Sequence, residues 1–283
     1  MPYLTKPVSV SGIATILMVT PLLIGTQRAS HTRFPPVVNA AMTHVQRITP
    51  ILLSAPTWMP QTLPPIIGRL PGYPVARVQA TRTSYTVTID YARHPLPVNS
   101  KRWATENLDP ILNSYLIFGA RQYPHNSAAT AALHDQRKML LGQLGPLPRA
   151  SRVALASHQI AQYQLADKAV SLMTWHEHGW TITMSDSFAA SSPVPAKAWA
   201  TEVASTFMTS VPSCPSRHGV LVQEGGGSMN TVIAVWAIGR KMYTVESDFG
   251  MHPVAKAITS WTPWNPSKQP SFWTRVIQWW GHL

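Results

Sequence analysis

Nineteen consecutive residues near the start of the chain, Val8 to Thr26 (VSVSGIATILMVTPLLIGT), carry no charge, with Lys6 just before them and Arg28 just after. At ~1.5 Å of rise per residue, a helix of that length covers the roughly 30 Å hydrocarbon layer of a bilayer. The run has no polar face to turn toward water, so a buried helix of a soluble domain is the weaker alternative. A cleaved signal is a second alternative, because Lys6 supplies a basic start. Its exit is poor: cleavage at Ala29 would leave Gln27 where a small residue belongs. Pro21 and Gly25 are tolerated in membrane helices. The expectation is an uncleaved transmembrane anchor over 8–26 behind a short tail of residues 1–7. Lys6 and the free amino terminus favour a cytoplasmic start, against the pull of Arg28, Arg33 and Arg47. This makes the chain a single-pass protein of the cell membrane with its bulk extracellular, touching membrane lipid through the N-terminal helix.

The 283 residues leave room for one domain with flanking segments. Apolar residues make up 45%, enough for a core, while charged residues make up only 12%, about half the usual share. The shortage is in acids: 11 Asp and Glu against 23 Lys and Arg, a net charge of +12. A nucleic-acid footprint would cluster those cations on one face. Here they are scattered singly, with Lys101 and Arg102 an isolated pair, so nucleic acid is not an expected partner. A carboxylate-poor surface also survives acid, because native carboxylates that must take protons are a main route of acid unfolding. Cys214 stands alone, which excludes an intrachain disulfide. Its Val-Pro-Ser-Cys-Pro-Ser setting is a loop, with His218 a nominal partner for a nucleophile and an incidental thiol the simpler reading.

Nine prolines fall between Phe34 and Pro74. Each fixes φ and removes a backbone donor, so 27–72 reads as a Pro-rich stalk, with room for a short helix around Val37 to Arg47. The apolar Leu52, Leu53 and Trp58 place its second half against the domain. From Tyr73 the texture changes to alternation. Val75–Ala80 and Tyr85–Tyr91 form one hairpin, and Val170–Trp175 and Trp180–Met184 a second. A third group runs Val220–Gln223, Thr231–Ile238 and Met242–Ser247. Helices are expected over Ser127–Leu144, Pro195–Val211 and from His252 to near Trp261. The prediction is an α+β domain over 73–262, a mainly antiparallel sheet of about seven strands with helices packed on one face, followed by a Trp-rich tail over 263–283.

The stretch TVIAVWAIGRKMYTVESDFGMHPVAKAITSW, residues 231–261, resembles the closing unit of uncharacterised exported, membrane-anchored domains of Gram-positive bacteria. It is more distantly similar to the lipoprotein-carrier and sigma-regulator sensor domains of bacterial envelopes. The WHEHGWTITM hairpin is similar to the middle of such domains, and the likeness spans Pro56 to Trp261. It implies an extracytoplasmic, non-enzymatic module and carries no functional residues across.

The sharpest cluster is His176-Glu177-His178. Two histidines at i and i+2 on a strand share a face and could share a metal. The alternative is a polar hairpin tip closed by a cross-strand Trp175–Trp180 pair, with Gly179 supplying positive φ. Gly225-Gly226-Gly227-Ser228 lacks the Lys-Ser/Thr and helix of a phosphate loop. Asp135, Asp167, Asp186 and Asp248 form no acid–base pair, and His125, His134 and His158 read as surface histidines. The tail helix over Ser271–Leu283, with Phe272, Val276, Trp279 and Trp280 on one face, suits docking onto the core or the membrane interface. No catalytic, cofactor-binding or metal residue is assigned, and no cofactor. The expected role is non-catalytic binding or sensing in the envelope, with an envelope protein or an apolar ligand as partner. The alternative is an exported hydrolase or metal-dependent enzyme whose site is dispersed in sequence.

Overall fold

Tyr85, Val87 and Ile89 are buried on one side of their strand while Thr86 and Thr88 point to the other. That period of two is the unit from which the body is built. The computed structural model describes residues 34–58, 72–106, 114–142, 151–155, 159–167, 170–186, 211–216, 218–226 and 229–264. The chain divides into two compact units, Met1–His31 and Thr32–Leu283, and every described residue belongs to the second. The predicted anchor over 8–26, all but the last residue of the helix expected over Pro195–Val211, and the tail beyond Trp264 lie outside the described residues, and Val211 itself is not helical. Among those described, no helix is long and apolar enough to cross a membrane.

Ten strands form one mixed sheet. They are β2 (Tyr73–Ala80), β3 (Ser84–Ala92), β4 (Leu116–Gln122), β5 (Ser151–Ala154), β6 (Ile160–Asp167), β7 (Val170–Glu177), β8 (Trp180–Asp186), β9 (Gly219–Gly226), β10 (Met229–Ile238) and β11 (Lys241–Ser247). Their order is β2-β3-β4-β11-β10-β9-β8-β7-β6-β5. All neighbours are antiparallel except β8 and β9, whose parallel register runs from Trp180–Gly219 to Asp186–Gly225. A parallel pair needs a crossover, and residues 187–218 span it. A separate ribbon pairs β1 (Ser54–Pro56) with β12 (Trp261–Pro263). The helices are α1 (Pro36–Gln46), a single turn α2 (Trp103–Glu106), α3 (Asn126–Gly142) and α4 (Met251–Thr259). The α+β class stands, with ten strands in the main sheet in place of about seven.

Two expectations change. Helices cover both faces of the sheet, not one. Val38, Ala41, Met42 and Val45 of α1 and Val254, Ala257 and Ile258 of α4 join the core on the Tyr85–Val87–Ile89 side. Leu133 and Leu140 of α3 pack on Val220, Val222 and Val235, which point the opposite way. Strands in the centre of a sheet are apolar on both faces, and Val232–Trp236 is such a run. Residues 34–58 also belong to the folded body rather than to a spacer. Pro36 at the first helical position starts α1, its apolar stripe at i, i+3, i+4 and i+7 is buried, and Ala55 enters the same core.

That core centres on aromatics. Trp236 stacks on Tyr243 at 5.5 Å between ring centroids and meets Trp261 edge-on at 5.2 Å and Trp180 at 6.2 Å. The Tyr85 hydroxyl donates to the Ser54 carbonyl beneath it, and burial pushes this phenol well above its ordinary pKa.

A histidine-lined cleft as candidate functional site

The β7–β8 hairpin closes on two residues, His178 and Gly179, with Glu177 paired to Trp180. Both turn residues have positive φ, 49° and 83°, the geometry of the tight hairpin turn whose twist matches the strands. Glycine takes that conformation freely, whereas His178 holds it at a cost. The tip is fixed from the side by two backbone bonds. Cys214 N–H donates to the His178 carbonyl and Gly219 N–H to the Gly179 carbonyl, each at 2.9 Å.

This register bears on the two histidines weighed as a metal pair. His176 lies within β7, but His178 has left the strand, so the two do not share a strand face. Nor do Trp175 and Trp180 close the tip as a pair. Trp175 opposes Ile182 and Trp180 opposes Glu177, and both rings enter the core. Glu177 is committed locally: Trp175 Nε1 donates to its Oε2 at 3.2 Å, and His178 Nε2 lies 3.5 Å from its Oε1. Among the described residues, no three of His, Cys, Asp or Glu converge closely enough to hold a metal ion.

What the fold does assemble is a cleft of about 600 Å³ between α3, the β7–β8 tip and the start of β9. Its cationic and titratable lining comes from separate elements: His134 and Arg137 from α3, His176 and His178 from the hairpin, and His218 from the approach to β9. Glu177 is the one carboxylate among the described residues of the lining, and Thr130, Thr181 and Gln159 add neutral donors. His134 and Arg137 are one turn apart and face the same way because i and i+3 are neighbours on a helix. Leu133, buried beside them, seats that turn on Val220. Thr181 Oγ1 lies 3.1 Å from His176 Nδ1 across the hairpin and orients that ring. The arrangement offers positive charge and hydrogen-bond donors to a small molecule, beside the apolar Leu133, Trp180 and Val220 of the same lining.

Other sequence candidates are placed elsewhere. The His125 ring accepts from the Ala128 N–H at 3.1 Å and caps the start of α3. His158 lies outside the described residues. Cys214 lies 3.4 Å from Ser216 Oγ, and burial pushes its thiol up, the opposite of what a nucleophile needs. Glu224–Gly226 continue β9 and pair with Thr231–Met229, so Gly225 and Gly226 are strand, while Gly227 and Ser228 lie outside the described residues. Asp248 accepts from Thr231 Oγ1 at 2.8 Å and from the Ser114 N–H at 3.2 Å, a structural role. The sequence reading missed His134 and His218 as site residues. A faint signal existed in the i, i+3 spacing of His134 and Arg137, but no local pattern shows that a helix will lie over a hairpin some forty residues downstream.

Comparison with known proteins found no match among family models, curated proteins or solved structures.

Proposed function

We propose that the chain is a membrane-anchored, extracytoplasmic binding module of the bacterial envelope, and that it takes a small polyvalent anion in the cleft beneath α3. The observation that carries this is the lining: among the described residues it gathers four imidazoles and one guanidinium from separate elements with one carboxylate, and that carboxylate is already engaged by Trp175 and His178. Histidine and arginine are donors suited to carboxylate and phosphate oxygens, the arginine in a planar fork. An anion takes the place of the apolar ligand expected from sequence on the strength of these donors, which share the lining with the apolar Leu133, Trp180 and Val220. Resemblance of residues 231–261 to exported envelope domains supports the location, as does the uncharged run over 8–26.

The test is calorimetric titration of the detergent-solubilised full chain with pyrophosphate and with citrate. Both anions are expected to give saturable heats with the parent chain. Arg137→Gln should weaken binding about 10- to 100-fold, the effect of losing a charged hydrogen bond of roughly 1.5–3 kcal/mol. Equal heats for the parent and this variant, or none from either anion at millimolar concentration, would refute the proposal.

A further inference from the structure

The same end of the sheet carries a second feature, on the side of α1. The β2–β3 turn presents Arg82, the β10–β11 turn presents Arg240, and Lys241 opens β11. The segment after α1 runs beside them, held by Thr49 Oγ1 donating to the Arg82 carbonyl at 3.1 Å and by Lys241 Nζ donating to the Leu52 carbonyl at 2.6 Å. Leu52 is thereby thrust outward at 81% exposure, with Ile238, 48% exposed, in the same lining. A shallow recess of about 520 Å³ lies among these groups, and none of its described lining residues is acidic.

We propose that this rim is a membrane-contact surface that seats the folded body on an anionic phospholipid bilayer. Each part of the rim has a role in that contact. Arg82 and Arg240 meet phosphate headgroups, and the exposed leucine held beside them can enter the acyl boundary, as the apolar face of an interfacial segment does. Solvent gives no reason to hold Leu52 out, and a nucleic-acid surface would make no use of it. The backbone bond from Lys241 fixes the protruding conformation, so little ordering remains to be done on contact. The contact would also leave the mouth of the histidine cleft, on the opposite face of the sheet, close to the headgroup region. The inference does not depend on the anion reading, because the two sites share no residue.

The test places a polarity-sensitive dye at the rim. Leu52→Cys is introduced into the full chain with Cys214→Ser, labelled, and presented to vesicles of phosphatidylcholine alone or with roughly 30% phosphatidylglycerol. The expected result is a blue-shifted emission with the anionic vesicles only. The shift should be lost in Arg82→Glu/Arg240→Glu and reduced in Arg82→Gln/Arg240→Gln, both at exposed turns, with an unchanged melting temperature verifying the fold. Free glycerol phosphate should give no shift. An equal shift with neutral vesicles, a shift that survives both double variants, or no shift with any vesicle would overturn the proposal. So would a shift that grows with protein concentration in the absence of lipid, which would assign the rim to a second copy of the chain. Vesicle association through residues 8–26 is read separately by flotation, so failure of the anchor and failure of the rim are distinguishable.

Discussion

At the scale of single residues, His178 shows a local rule set aside in favour of a site. A two-residue turn with positive φ at both positions is best made by Asn-Gly, and this chain places histidine first. The expected outcome for His178→Asn is a gain of a few tenths to about 1 kcal/mol in chemical denaturation together with weaker anion binding. Loss of both stability and binding would mean that the ring serves packing, not the ligand. The turn itself was legible, since Gly179 between alternating apolar runs announces it. The positive φ of His178 was not, because only the register of the flanking strands decides that it lies in the turn.

Among the elements, β2 shows how a sheet edge is managed. It is a terminal strand of the sheet, and unpaired edge groups invite pairing with another chain. Asn99, itself at φ 60°, covers part of that edge with its side chain. Its Oδ1 accepts from the Val78 N–H at 2.7 Å and its amide donates to the Val78 carbonyl at 3.1 Å, imitating a strand residue. Arg77 stacks over the Trp103 ring at 4.3 Å just beyond. Asn99→Ala is expected to cost roughly 1–3 kcal/mol and to raise concentration-dependent light scattering on partial unfolding. Unchanged stability would show that water replaces the amide without penalty. Hairpins such as β2–β3 and β10–β11 were legible because their two strands and turn are contiguous and alternate. Strand β4 was not, since LIFGARQ lies alone in sequence between segments of other texture and is defined by partners on both sides. Its Gly119 belongs there for a tertiary reason: a Cβ would sit 2.4 Å from the Tyr85 carbonyl oxygen.

In the whole molecule, charge is distributed along the strands. Arg82, Arg121, Arg240, Lys241, His178 and His218 mark one end of the sheet, while Asp90, Glu224, Glu246 and Asp248 lie toward the other. Burial first, and then the neighbouring Asp248 and Glu224, raise the Glu246 carboxyl above its ordinary pKa. A raised folded-state value means that the native state holds this proton more tightly than the unfolded chain does. Its ionisation therefore costs stability, nothing below the unfolded value and the full amount above the folded value. Glu246→Gln is expected to raise the melting temperature at neutral pH, with the difference vanishing near roughly pH 3. A difference that is constant with pH would exclude titration as its origin. Glu106, lowered by its hydrogen bonds to His94 and Arg102, acts in the opposite sense: its contribution is present above the unfolded value and fades as pH falls through the folded one. As a surface pair it contributes little. The α+β class was legible from interleaved strand and helix periods. The covering of both faces was not, because an apolar run such as Val232–Trp236 reads the same whether its second face meets a helix or another layer.

Imidazole-detected NMR of the full chain, titrated with pyrophosphate at mildly acidic pH, tests the anion-binding cleft most directly. The resonances of His134, His176, His178 and His218 should move together and saturate, while those of His44, His94, His125 and His252 stay in place. Movement spread evenly over the histidines, or none in the cleft set, would contradict the assignment of the cleft as the ligand site.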